Sequence, residues 1–336
     1  MSRRRFGATF VALALVAGAC QQSDVAGDAA PASTSTPTTS AGSSTSTTTT
    51  PSTTTTTPEP AEHPAAPNGR RYPAVPDTGA AVAARLVEVE QLLQTTDRTD
   101  ADYPDLAHEQ QLLYRHIGRN PDWILTLWDA VPDDLFATVE RHVTARQSIG
   151  GIPSGDPPRN VPAWEIIEPL PADELLDLYR IASDATGIDW AYLAAINLIE
   201  TGFGRIDGVS TANAQGPMQF LPTTWEEVSD GDIRDPYDAI PAAARYLVRR
   251  GGPDNMQRAL WGYNNSDSYV AAVSAYADLF RADLANYYAA HQWEIHYSAA
   301  AGDLWFPVGY REDEIIPATD YLATAPWSAP PPPSTP

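Results

Sequence analysis

Residues 195–205, with the sequence AINLIETGFGR, place a carboxylate where a helical pattern predicts an aliphatic side chain. Leu193, Ile196 and Glu200 fall at i, i+3 and i+7, so they share the apolar face of one helix. Gly202 is suited to end that helix, because glycine adopts the left-handed conformation at little cost. Burial and the helix C-terminus both disfavour the ionised carboxylate. The pattern therefore predicts that Glu200 stays protonated near neutral pH, as a general acid must.

A surface ion pair is the alternative interpretation of Glu200. Arg205 lies close behind it in the sequence and could neutralise a carboxylate exposed at the end of the helix. The stretch taken alone favours neither interpretation.

The N-terminal residues have the pattern of an export signal. Arg3, Arg4 and Arg5 precede an apolar run over residues 6–19 that is too short to span a bilayer comfortably. The run ends in AGAC, which resembles a bacterial lipobox, so we predict a lipoprotein signal over residues 1–20 and lipidation of Cys20. The protein is then expected to be exported and anchored by this lipid at the outer face of the cytoplasmic membrane, within the cell envelope.

Composition excludes several functional classes. The formal net charge of −22 argues against a basic nucleic-acid-binding protein. Cys20 is the only cysteine, so neither an intrachain disulfide nor a cysteine-based metal site can form. The histidines lack the spacing of a ligand set, and His291 and His296 do not share a helix face, so we expect no metal and no cofactor.

A tether is predicted over residues 21–67. Of the 25 residues from 33 to 57, 21 are Ser or Thr, and such a segment cannot bury enough apolar surface to offset its ordering entropy. A second disordered segment, rich in proline, is expected over residues 326–336.

The chain between these segments is predicted to be all-α. Val82, Leu86, Val89 and Leu93 repeat with a helical period and open an N-terminal helical subdomain over residues 68–160. Its other helices are expected near residues 106–117, 121–123 and 132–145. A catalytic domain with a C-terminal extension is expected over residues 161–325, with helices near 171–185, 190–201, 223–228, 236–250, 256–261 and 267–280.

The C-terminal part of this domain is rich in aromatic side chains and has no clear period. We expect an irregular segment whose aromatic residues pack it onto the domain, with a sugar-binding groove as the alternative. These residues are Tyr287, Tyr288, Trp293, Tyr297, Trp305, Phe306 and Tyr310.

Two segments after Glu200 carry the most specific signal. Residues 210–220 have the sequence STANAQGPMQF, and residues 259–270 have the sequence ALWGYNNSDSYV. Together with Glu200 and Thr201 they resemble the Glu-Ser, Gly-Leu-Met-Gln and Ala-Tyr-Asn motifs of the lytic murein transglycosylases, most closely the membrane-bound type and exported actinobacterial members. The departures from those motifs are Thr201 for Ser, Pro217 for Leu and Gly262 for Ala.

The resemblance implies a lysozyme-like catalytic domain that acts on peptidoglycan. In this family the acid, here Glu200, protonates the glycosidic oxygen between N-acetylmuramic acid and N-acetylglucosamine. The substrate's acetamido group then stabilises the cationic centre, and the Glu deprotonates the C6 hydroxyl to leave a 1,6-anhydromuramoyl end. By the same resemblance Ser210, Gln219 and Asn264 donate or accept hydrogen bonds with the sugar, while Met218 and Tyr263 form the floor and wall near the acid.

Simpler roles are open for these residues. Gln219 and Asn264 could belong to a polar network that holds the loop, and Met218 could be plain core.

Two other functions also remain open. A muramidase of the same fold would cleave the same bond with water, but hydrolysis usually needs a second carboxyl, and Asp207, Glu226, Glu227, Asp235 and Asp238 are all less well placed. An inactive tethered wall-binding lipoprotein is the other alternative.

Overall fold

The computed structural model describes residues 62–152 and 155–332 of the 336-residue chain. The predicted signal over residues 1–20, its lipidation site Cys20 and residues 21–61 of the predicted tether lie outside the described residues. Ala66 is buried together with Tyr72 and Trp305, so the end of the predicted tether is part of the packed body. Within the described ranges, none of the helices combines the length and the apolar character that a membrane span requires.

The N-terminal half is helical, as its apolar period predicts. Its helices are α1 (Gly79–Thr95), α2 (Tyr103–Arg119), α3 (Ile124–Ala130) and α4 (Asp133–Gly150), with a 3-10 turn at Pro121–Trp123 between α2 and α3. The hydroxyl of Thr78 caps α1 by accepting the amide of Ala81. The predicted apolar face of α1 is buried, which confirms the period that predicted this helix.

The second half contains the helices that surround the candidate site. They are α5 (Ala172–Thr186), α6 (Trp190–Thr201), α7 (Pro222–Val228), α8 (Pro236–Arg250), α9 (Met256–Tyr263) and α10 (Asp267–Ala282). Side chains cap several of them: Asp189 accepts the amide of Ala191 at the start of α6, and Asp235 accepts that of Tyr237 at the start of α8. Gly187 and Gly251 end α5 and α8 in the left-handed conformation.

Both halves share one hydrophobic core. A continuous cluster of buried apolar side chains extends from Val82 in α1 to Trp293. Helix α10 lies at its centre and packs against both α4 and α6. The N-terminal helices therefore support the helix of Glu200 through α10, and the packing is continuous across the predicted boundary near residue 160.

Short strands bring the two ends of the second half together. They form three antiparallel pairs: β1 (Asn160–Val161) with β6 (Ile316–Pro317), β2 (Glu165–Ile166) with β3 (Ile206–Asp207), and β4 (Ile295–Ala299) with β5 (Gly302–Phe306). The β2–β3 pair joins the chain that precedes α5 to the loop that follows Glu200. The fold remains predominantly helical, as a lysozyme-like domain requires.

The C-terminal segment is not irregular, and that part of the prediction is wrong. It contains α11 (Leu284–His291), the β4–β5 hairpin and α12 (Ala318–Thr324). Leu304, Trp305 and Phe306 are consecutive and all buried, because both faces of the hairpin are covered. A strand buried on both faces shows no alternation of polar and apolar residues, so this segment has no strand period to detect.

Packing explains the aromatic residues of this segment. Five of them, Tyr287, Trp293, Trp305, Phe306 and Tyr310, are buried, which confirms packing over a sugar groove. The predicted disorder from residue 326 is wrong at its start, where Pro326–Ser328 forms a 3-10 turn. The hydroxyl of Ser328 is buried and donates to the carbonyl of Trp305 at 2.7 Å, which holds this turn against β5.

Candidate active site

Glu200 lies in the last turn of α6 and is fully buried, with 0% of its surface exposed. Its Oε1 accepts a hydrogen bond from the hydroxyl of Tyr269 at 2.8 Å, and its Oε2 has no hydrogen-bond partner among the described residues. Burial raises the pKa of Glu200 to about 8, and the hydrogen bond from Tyr269 lowers it by less. The carboxyl is therefore mostly protonated at neutral pH, as the sequence pattern predicts.

The alternative ion pair with Arg205 does not form. The guanidinium of Arg205 is buried and donates from Nε to the carbonyl of Trp293 at 2.9 Å and from Nη2 to the carbonyl of His291 at 2.6 Å. Burial, rather than a neighbouring charge, is the main cause of the raised pKa of Glu200.

A turn of left-handed residues follows Glu200 and directs the chain away from α6. Gly202, Phe203 and Gly204 have φ values of 62°, 66° and 88°. The amides of Gly202 and Phe203 donate to the carbonyls of Leu198 and Asn197, which closes the helix in the way that a C-terminal glycine permits. The acid is thereby held at a defined helix end.

The loop over residues 215–220 is bonded to α6 beside Glu200, through Thr201, and is tightly closed. The backbones of Gln215 and Phe220 exchange two hydrogen bonds, of 2.9 and 3.0 Å. Gly216 has φ 72°, and a Cβ there would lie 1.8 Å from the carbonyl oxygen of Ile233. Only glycine fits this position, so Gly216 serves the backbone of the loop.

Two side chains of α6 hold this loop. The hydroxyl of Thr201 and the amide of Asn197 donate to the carbonyl of Pro217, at 2.7 and 2.8 Å. They are one helical turn apart and therefore lie on the same face of α6. Thr201 supplies a hydroxyl where the related motif has Ser, so this departure keeps the donor.

Met218 and Tyr263 support the site from within the core. The Met218 side chain is fully buried, and its carbonyl accepts the hydroxyl of Tyr263 at 2.7 Å. The ring of Tyr263 stacks parallel to that of Tyr269, with centroids 6.4 Å apart. Tyr263 thus lies against Tyr269, the partner of Glu200, and Met218 is a core side chain whose carbonyl holds the Tyr263 hydroxyl.

The three residues predicted to form hydrogen bonds with the sugar differ in how many of their polar atoms already have a partner in the protein. The hydroxyl of Ser210 accepts the amide of Ala214 at 2.9 Å and so closes its own loop. Gln219 donates from Nε2 to the carbonyl of Gly216 at 3.0 Å, but its buried Oε1 has no partner among the described residues. Asn264 ends α9 and is 8% exposed, and its side-chain amide makes no hydrogen bond to a described residue. Gln219 and Asn264 therefore keep capacity to bind a ligand.

The acids weighed as a second catalytic carboxyl have other partners or are exposed. Asp207 forms an ion pair with Arg234 at 2.6 Å. Asp235 and Asp238 accept backbone amides, from Tyr237 at 2.9 Å and Asp232 at 2.8 Å. Glu226 and Glu227 are exposed on α7. None of these five shares the burial of Glu200.

Tyr269 is the site residue that the sequence motifs missed. It lies in the first turn of α10, where Ser266 caps the helix by accepting its amide, and it is fully buried. It also lies within the quoted segment 259–270, a few residues after Tyr263. The serine cap followed by a large aromatic residue was the available signal, but only the contact with Glu200 reveals its role.

Replacing Glu200 by Gln changes how stability depends on pH. Because the folded-state pKa of about 8 exceeds the ordinary value of 4.5, the proton on Glu200 stabilises the fold fully below pH 4.5, and this contribution is lost as the pH rises through about 8. We expect Glu200→Gln to gain stability relative to the wild type across this window, on the order of a few kcal/mol. Urea unfolding from pH 4 to pH 9 measures the difference, and a difference that stays constant over that range contradicts the assignment.

Comparison with known proteins identifies one domain. Residues 177–283 match the family model described as the transglycosylase SLT domain. The match extends from α5 to the residue that caps α11, so it contains Glu200 and each of the predicted substrate-binding residues. No curated protein and no solved structure gives a significant match. The chain therefore carries a transglycosylase SLT domain of lysozyme-like fold, which confirms the resemblance to the lytic transglycosylases.

Proposed function

We propose that this protein is a peptidoglycan lytic transglycosylase that cleaves the β-1,4 bond between N-acetylmuramic acid and N-acetylglucosamine and leaves 1,6-anhydromuramoyl ends. An SLT domain supports lytic transglycosylase activity on peptidoglycan in general. The observation that carries the finer proposal is the fully buried carboxyl of Glu200 within the SLT domain, whose pKa is raised to about 8 by burial. No acid considered as its partner has a comparable environment.

The first step uses Glu200 as a general acid. Its Oε2, which has no partner among the described residues, is the oxygen available to carry the proton to the glycosidic oxygen. As the bond to C1 breaks, the carbonyl oxygen of the muramoyl acetamido group bonds to C1 and stabilises the positive charge. The leaving N-acetylglucosamine takes the proton, and Glu200 becomes a carboxylate.

The second step uses the same residue as a base. The Glu200 carboxylate takes the proton of the C6 hydroxyl, whose oxygen attacks C1 and displaces the acetamido oxygen. No water enters, and Glu200 returns to its protonated form. A carboxylate that is buried away from water is a stronger base than an ordinary one, so the raised pKa favours this step as well as the first.

Substrate binding is assigned to polar side-chain groups that can still form hydrogen bonds after the contacts within the protein are made. The Oε1 of Gln219 and the side-chain amide of Asn264 are the groups for hydroxyl or acetamido contacts. Ser210 contributes by shaping the loop through its bond to Ala214, while Met218 and Tyr263 position Tyr269.

Cleavage products and one pair of variants test this function. Digestion of purified peptidoglycan is expected to release muropeptides lighter by one water than reducing-end products, and Glu200→Gln is expected to lower the rate at least about 100-fold because the proton donor is lost. Asp207→Asn is the control: its ion pair with Arg234 is exposed, so its removal leaves the rate near that of the wild type.

The alternatives predict other results. Reducing ends that contain one added water indicate a muramidase. An active Glu200→Gln variant refutes the assignment of the acid, and a wild-type protein that binds peptidoglycan without cleaving it indicates a tethered wall-binding protein.

Export and lipidation complete the proposal. The basic and apolar pattern before Cys20 and the Ser/Thr-rich tether after it support a lipid-anchored enzyme that reaches from the membrane surface into the wall. Metabolic labelling with a palmitate analogue is expected to mark the wild type and not Cys20→Ser. Equal labelling of both proteins contradicts the anchor.

A further inference from the structure

The turn after Glu200 is held by residues that lie outside the matched SLT domain. That domain ends at residue 283, whereas the two carbonyls that accept hydrogen bonds from Arg205 belong to His291 and Trp293. These carbonyls lie at the C-terminal end of α11, where the helix dipole favours a cation. Arg205 thus joins the turn to the C-terminal segment with a charged and buried contact.

Close packing joins the same turn to β4. A Cβ on Gly202 would lie 2.7 Å from Cδ1 of Ile295, so this methyl group lies directly against the backbone that ends α6. Ile295 is buried, and it is the first residue of β4 and part of a smaller apolar cluster that it forms with Leu304 and Phe306 of the hairpin. The helix end that carries Glu200 is therefore supported from the C-terminal segment at two points.

Phe203 shows why such support is needed. A left-handed conformation is unfavourable for a residue with a large side chain and persists only where the surroundings enforce it. The ring of Phe203 lies 5.5 Å from those of Tyr287 and His291, within the aromatic cluster of α10 and α11. Ring packing and the Arg205 contacts together keep the turn in this conformation.

We propose that Arg205 is a positioning residue of the transglycosylase reaction: it fixes the turn that follows Glu200 to the backbone of residues 291–293 and so keeps the Glu200 carboxyl buried in its reactive orientation. This inference rests on the proposed function of Glu200. It assigns to the C-terminal segment, which lies outside the matched domain, a part in building the active site.

The loop over residues 215–220, which carries Met218 and Gln219, is called the substrate loop here. The way this loop is held predicts which kinetic constant changes when the Arg205 contacts are lost. Thr201 and Asn197 hold that loop through the carbonyl of Pro217, and the Arg205 side chain takes no part in these two hydrogen bonds. The Thr201 hydroxyl also accepts the amide of Gly204 in the turn, whereas the Asn197 amide makes no bond to the turn. Loss of the Arg205 contacts is therefore expected to disturb the acid and to leave the substrate loop in place. Loss of the Arg205 contacts is therefore expected to lower kcat rather than to raise KM.

The pH profile supplies a second readout. The titratable groups that face Glu200 are Tyr269 of α10 and Tyr263 of α9, and neither contacts Arg205. The charged groups near Arg205 are Glu168, Glu294 and Arg70. The titratable group near it is His291, whose pKa is lowered to about 4, chiefly by burial, so that it stays neutral over the alkaline limb. If the turn relaxes and water reaches the carboxyl, the raised pKa of Glu200 falls towards its ordinary value, and the alkaline limb of the rate profile moves to lower pH.

The experiment compares full-length variants on purified glycan strands. Arg205→Gln is expected to lower kcat roughly 10-fold or more with KM within about twofold, because small misplacements of a catalytic group cost large factors in rate. Its alkaline limb is expected to move to lower pH, and Arg205→Lys is expected to restore part of both. Arg311→Gln is the matched control, since Arg311 lies in the same C-terminal segment but is exposed and bonds to Glu165 and Asp313.

A milder variant covers the case in which Arg205→Gln does not fold. Ile295→Val removes the single methyl group that lies against Gly202, and it is expected to change kcat and the alkaline limb in the same directions by smaller amounts. A normal kcat and an unmoved limb in folded Arg205→Gln or Ile295→Val would overturn the proposal, as would a change confined to KM.

Titration of the Glu200 carboxyl separates failure of this inference from failure of the proposed function. If the wild type does not cleave peptidoglycan, the proposed function is wrong, and the Glu200 pKa in Arg205→Gln still decides the positioning role. A pKa that falls relative to the wild type supports that role, and an unchanged pKa refutes it.

Discussion

The removal of one carboxyl from water is the constraint on which this site depends. Glu200 is fully buried and accepts one hydrogen bond, from Tyr269, so its ionised form is poorly solvated and its pKa is raised to about 8. Such a group destabilises the fold at alkaline pH, and a side chain selected only for stability would be aliphatic at this position of α6. The protein keeps the acid and surrounds it with contacts that exclude water.

Those contacts come from separate parts of the chain. Tyr269 reaches the carboxyl from α10, which itself packs between α4 and α6. The loop over residues 215–220 is fixed to α6 through the carbonyl of Pro217, and the turn after Glu200 is fixed to the C-terminal segment through Arg205. A domain boundary drawn at the limits of the SLT match would cut the last of these supports.

Local signals in the sequence predicted most of the helices up to α10, but neither α3 nor the C-terminal helices α11 and α12. Long-range contacts were not predictable from these signals. The bounds of α6 follow from the Asp189 cap and Gly202, both within a few residues of the helix ends. The β4–β5 hairpin was missed because burial of both faces removes the alternation. The pairing of His108 with His296, whose Nε2 atoms lie 2.8 Å apart, joins residues that no spacing rule connects. Tyr269 and the partners of Arg205 were unpredictable for the same reason, since each contact depends on tertiary packing.

The pKa of the Glu200 carboxyl is the most direct test of this account, because both proposed steps require an acid that is protonated at neutral pH and basic after it ionises. Carbon-13 NMR of protein labelled at the Glu side-chain carboxyl, with Glu200→Gln to assign the resonance, gives this value without reference to activity. A buried carboxyl that is protonated at neutral pH is expected to titrate with a midpoint near 8. A midpoint near the ordinary value of 4.5 would show a solvated, ionised carboxylate and would contradict it.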